Sequence, residues 1–145
     1  MKKIILSFFV IVLLASSCRK SDNPKLPDLQ AVPLAQLTRD ASADMSISVQ
    51  NADAFTGKVN VGLYFPNDIK PTKMDLVVIK NGNKANVKIV KTDITSFPTS
   101  VTVTGVQLKT LFGGASIVLG DKFDFGVNIT TVEGKMYPAF TTTGI

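Results

Sequence analysis

Cys18 is the one thiol in this chain of 145 residues, and only Ser16 and Ser17 separate it from an apolar run. There is no histidine and no tryptophan, and the acidic side chains are ten aspartates and the single Glu133. That inventory restricts the chemistry sharply. Without histidine there is no Ser-His-Asp triad, no Cys-His dyad and no zinc site of the usual kind. A lone cysteine forms no intramolecular disulfide, so the fold must be held by its core. Catalysis by paired carboxylates needs two carboxyl groups about 5–10 Å apart in a cleft. Asp121 and Asp124 are three apart, which places them on opposite faces of a strand. Neither catalytic residues nor a cofactor is expected.

Two kinds of ligand remain to be weighed. Asp53, Asp68, Asp75, Asp93 and Asp121 all fall near expected loops or strand ends, where two or three could gather around calcium. Aspartate is also a common turn former, and no EF-hand or Asp-Gly repeat accompanies them, so no metal site is assigned. Sugar faces stack on exposed aromatic rings. Tyr64, the outward residue of a regular strand, and Tyr137, on the last strand, are the candidate ligand-binding residues. The commoner role for such rings is a cross-strand contact or the rim of a core.

The segment around Cys18 is more informative. Met1-Lys2-Lys3 is basic, and residues 4–15 (IILSFFVIVLLA) are apolar apart from Ser7. Twelve residues are too few to span a bilayer, which takes about 20, but suit the apolar region of a signal peptide. Leu14-Ala15-Ser16-Ser17-Cys18 resembles the bacterial lipobox, in a version with Ala15 where strict forms prefer leucine. The resemblance implies that the Cys18 thiol carries a diacylglyceryl group, that the chain is cut just before it, and that the new amine is acylated. A free thiol is unusual in a secreted protein, and alkylation removes it. Residue 19 is Arg rather than the Asp that favours inner-membrane retention in enterobacteria, so the resemblance points to the outer membrane, on its periplasmic or its outer side.

The expected organisation is therefore a signal peptide at 1–17, a lipidated cysteine with a flexible tether at 18–35, and a domain at 36–145. Residues 19–28 (RKSDNPKLPD) are polar and proline-containing, a tether composition. Removing residues 1–17 leaves 128, enough for one domain with a real core. Losing Lys2 and Lys3 takes the basic count from 16 to 14 against 11 acidic residues, a formal charge of +3. The lysines are scattered and no arginine follows Arg39, so nucleic acid is not an expected partner.

The domain reads as a succession of strands. Pro33 confines any strand over 31–34 to an edge or a leading position. Ser46 to Gln50 alternates and is expected as a strand, as is Lys58 to Phe65 with Val59, Val61, Leu63 and Phe65 inward. Met74 to Ile79 is apolar on both parities, the mark of a central strand. Asn81-Gly82 signals a hairpin, from which Asn86 to Lys91 returns with Val87 and Ile89 inward. Thr99 to Thr104 places Val101 and Val103 inward. One short helix is expected near 106–112, where Leu108, Leu111 and Phe112 recur at helical spacing. Asp121 to Thr131 alternates most clearly, with Phe123, Phe125, Val127 and Ile129 inward, and Lys135 to Thr143 forms the last strand. About seven strands with turns between them predict an antiparallel β-sandwich of immunoglobulin or fibronectin type III kind, with a small barrel as the alternative.

The layout as a whole resembles small lipoproteins of the Bacteroidota, many of which accompany outer-membrane glycan-uptake systems of the starch-utilisation type. Ser21-Asp22 is a faint version of the acidic-polar stretch that directs surface export in that group, and Arg19-Lys20 departs from it. The resemblance implies a non-enzymatic envelope lipoprotein whose sandwich mediates binding or assembly. Its expected partners are the membrane, through Cys18, and an outer-membrane transporter or another envelope protein. Two other readings remain open: a carbohydrate-binding accessory protein, with a glycan as ligand, and a structural spacer module of a larger surface protein that continues past Ile145.

Overall fold

The computed structural model describes residues 31–142, and the expectations for the signal peptide, Cys18 and the tether lie outside them. Seven strands form two antiparallel sheets. In chain order they are β1 (Ala35–Arg39), β2 (Thr56–Leu63), β3 (Lys73–Lys80), β4 (Lys88–Ile94), β5 (Thr99–Thr104), β6 (Phe123–Thr130) and β7 (Met136–Tyr137), with helix α1 (Gly105–Leu111) between β5 and β6. One sheet has the order β1-β2-β5 and the other β4-β3-β6-β7. Val59, Val61, Val101 and Val103 of the first sheet share one core with Met74, Leu76, Val78 and Val127 of the second. No described helix is long and apolar enough to cross a membrane.

The alternating strands obey their sequence. In β6, Phe123, Phe125, Val127 and Ile129 pack on the core, and they lie opposite Lys80, Val78, Leu76 and Met74 of β3. The strand β3 is central and apolar on both parities because both of its sides are covered. Met74, Leu76 and Val78 face the other sheet, while Val77 and Ile79, equally buried, face outward. Gly126 lies opposite Val77. A Cβ on Gly126 would stand 2.6 Å from Ala139 and 3.0 Å from the Phe140 ring. The segment after β7 therefore crosses the outer side of this sheet, and the Ala139 N–H donates to the Asn128 side-chain oxygen at 2.9 Å. Glycine is what lets that segment lie close.

Four expectations need correcting. Ser46 to Gln50 is not a strand. Residues 49–54 instead form a 3₁₀ helix whose Ala52 packs on the core. The segment before it is held by Asp44, whose N–H donates to the Thr56 carbonyl and whose carboxylate accepts the Thr56 N–H at 2.7 Å. Phe65 does not face inward: β2 ends at Leu63, and Phe65 is exposed in an edge-to-face pair with Tyr64, their centroids 4.9 Å apart. In β4, Val90 rather than Ile89 packs on the core, and Ile89 is exposed on the outer side opposite Val77. The register with β3 shifts twice here and Asp93 takes a positive φ of 56°, the signature of a bulge that changes which residues face in. Last, β7 stops at Tyr137, where Pro138 offers no N–H to continue the ladder.

Candidate functional site

A cleft of about 550 Å³ opens at one end of the two sheets, where β1 ends and β2 and β6 begin. Its floor is apolar: Val59 of β2, Val103 of β5, Leu108 of α1 and Phe125 of β6. Met45 and Val49, from the segment before β2, line one wall. Ile117, Val118 and Leu119 line the other, and Leu119 is 90% exposed. Arg39, Lys58 and Lys122 supply cations and Asp44, Asp121 and Asp124 carboxylates. An apolar floor with a few polar groups around it, at this size, is the composition of a binding site for an apolar or amphipathic ligand.

Local packing shapes each wall. Phe55 lies against Gly57, where a Cβ would stand 2.6 Å from its ring, so glycine is what leaves room for the ring on β2. Thr104 caps α1 by accepting the Gln107 N–H at 3.1 Å, which aims Leu108 at the floor. Asp121 fixes the opposite wall. Its carboxylate pairs with Lys80 at 2.8 Å and accepts the Val118 N–H and the Asn81 side-chain N–H, each at 2.9 Å. Asn81 in turn holds Lys122 by both its N–H and its side-chain oxygen, each bond 2.8 Å long. The Asn81-Gly82 pair has positive φ at both residues, as the hairpin signal requires, and the connection runs on to β4 at Lys88.

The Lys80 ammonium and the hydrogen bonds from Val118 and Asn81 hold the Asp121 carboxyl down at about 2. A carboxylate with a lowered folded pKa contributes stability that is complete above its unfolded value, about 3.9, and is lost as pH falls through its folded value. Acid should therefore loosen this wall between about pH 4 and pH 2. Urea midpoints of the wild type and Asp121→Asn, measured across that interval, should converge as the pH falls. Parallel curves would contradict this role.

The other aspartates weighed as calcium ligands have separate structural tasks. Asp53 pairs with Lys109 and Asp93 with Lys73, at 2.8 and 2.7 Å. Asp75 accepts the Asp93 N–H and Asp68 that of Ile69, both at 2.8 Å. Among the described residues no group of three or more such side chains is placed to hold a metal ion.

The two tyrosines stand on different elements. Tyr64 follows β2, is exposed and packs edge to face on Phe65. Tyr137 lies opposite Ile129 on the core-facing parity of β7, with the Lys135 ammonium 4.9 Å from its ring centroid. Tyr64 is thus an exposed ring beside Phe65, whereas Tyr137 shares the side of its sheet with Ile129. Of the cleft residues, only Asp121 and Asp124 stand out in the sequence as candidates for chemistry, and the apolar lining does not. One signal was available: Ile117-Val118-Leu119 is an apolar triplet inside a loop bounded by glycines.

No protein-family model, no curated protein and no solved structure matches this chain.

Proposed function

We propose that this chain is a non-enzymatic lipoprotein of the bacterial cell envelope, held at the outer membrane through Cys18, whose sandwich binds an apolar segment of another envelope protein. The apolar cleft carries this reading, because exposed Val118 and Leu119 stand over a floor already fit for desolvated contact. Exposed apolar surface rimmed by charge is the usual mark of an interaction site. The sheet order β1-β2-β5 against β4-β3-β6-β7 supports an immunoglobulin or fibronectin type III-like fold, a scaffold that commonly presents binding loops at one end. An outer-membrane transporter is the partner that the signal sequence and layout favour.

The test is a crosslinked pull-down of the full-length protein from its native envelope, with mass spectrometry of what accompanies it. Wild type should bring down a discrete envelope protein. Cys18→Ala and Leu119→Asp should each lose it, the first by leaving the membrane and the second by placing a charge on the cleft wall. Capture unchanged in Leu119→Asp would remove the cleft from the account.

A further inference from the structure

Large apolar side chains are exposed at thirteen described positions, and seven of them gather at the end opposite the cleft. They come from three segments: the lead into β1 (Val32 and Leu34), the connection from β2 to β3 (Tyr64, Phe65 and Ile69), and the strand-end turn bearing Val132 and Met136. Hydrogen bonds join these segments. The Tyr64 N–H donates to the Leu34 carbonyl at 2.9 Å. The Thr72 N–H donates to the Thr130 carbonyl at 2.8 Å, and its hydroxyl to that of Thr131 at 3.0 Å. This is also the end at which the chain enters the domain, since Ala35 lies opposite Leu63.

We propose that this end of the sandwich rests on the lipid surface that holds the anchor, with Tyr64, Phe65, Ile69 and Val132 at the level of the headgroups. The proposal rests on the reading of Cys18 as lipidated. Thirteen peptide units separate Cys18 from Ala31, a reach of at most about 45 Å. The described chain begins at Ala31, at this end of the domain, so an anchor at Cys18 is attached here and not at the cleft. Phe65 and Ile69 suit the boundary of the acyl region, and Tyr64 suits the interface, where an amphipathic ring has both an apolar and a wet side. Lys70, exposed next to Ile69, suits an anionic headgroup phosphate. A second attachment of this kind gives the domain one orientation on its tether, with the cleft directed away from the membrane.

The absence of tryptophan makes the test direct, because any introduced tryptophan is a unique reporter. Phe65→Trp, Val132→Trp and Leu119→Trp would each be prepared as the acylated protein in vesicles of phosphatidylethanolamine and phosphatidylglycerol, with and without brominated acyl chains. Tryptophan at 65 and at 132 should emit to the blue of its position in detergent-free buffer and lose most of its emission to the brominated lipid. At 119 it should do neither. Solvent-like, unquenched emission at both 65 and 132, in protein that sediments with the vesicles, overturns the contact and leaves the anchor standing. Equal quenching at 119 overturns the orientation. An unacylated N-terminal peptide by mass, with no sedimentation, overturns the anchor and this proposal with it.

Discussion

Replacing Gly105 by alanine should cost about 3 kcal/mol of folding stability. Helix propensity alone says the opposite, because Gly105 opens α1 and alanine is favoured over glycine in a helix interior by about 1 kcal/mol. Space decides the matter. A Cβ at this position would stand 1.7 Å from the Ala52 carbonyl oxygen and 2.8 Å from its carbon. Both are backbone atoms, so no side-chain rotation relieves the overlap. The 3₁₀ helix 49–54 would have to move, yet Ala52 and Phe55 are packed on the core and the Gly105 N–H is bonded to the Phe55 carbonyl at 3.0 Å. The φ of Gly105 is not in the left-handed region, so the demand is for volume and not for conformation. Gly113→Ala is the matched comparison. It meets nothing within 4 Å, has φ of 84°, and should cost about 1 kcal/mol through backbone conformation. Urea unfolding of the two variants separates these mechanisms, and a Gly105→Ala midpoint equal to that of Gly113→Ala would contradict the packing described for α1.

Replacing Cys18 by alanine should remove the protein from the outer membrane. Each buried methylene of an acyl chain contributes about 0.8 kcal/mol, and two or more chains on one residue give stable anchoring where a single chain gives only marginal binding. Without the sulfur there is no site for the diacylglyceryl group, and no described helix replaces it as a span. Growth with a labelled fatty acid, followed by separation of the membranes, reads both consequences. Wild type should be labelled and sediment with the outer membrane, and Cys18→Ala should be unlabelled and absent from it. Equal labelling of the two, or an unlabelled wild type, would contradict the assignment of Cys18.

The strands that could be read from sequence are those whose neighbours impose strict alternation. β6 runs straight between β3 and β7, so its period of two survives intact, and β3 shows apolar residues on both parities because it is covered on both sides. β4 departs from simple alternation because its register with β3 shifts twice, and between Lys91 and Ile89 an extra residue, Val90, is inserted opposite the Leu76-Val77 step. Ser46 to Gln50 alternates as a strand would, but a short alternation is also satisfied by a loop leading into a 3₁₀ helix, and only the bonds from Asp44 to Thr56 distinguish them. The cleft was not legible for a different reason. Its floor takes Val59, Val103, Leu108 and Phe125 from four elements far apart in the chain, and each of them reads simply as core. Tyr64 is legible as an outward aromatic, but the Leu34 carbonyl that accepts its N–H comes from the lead into β1, thirty residues earlier, so its surroundings emerge only when the chain is folded.

The central claim is that the cleft engages an envelope partner while the opposite end faces the lipid. Site-specific photocrosslinking in intact cells tests it most directly, with the reactive side chain placed in turn at Leu119, on the cleft wall, and at Ile89, on the exposed outer side of β4. The account predicts a discrete protein adduct from position 119 and none from 89. Adducts from neither position, or the same adducts from both, would contradict it.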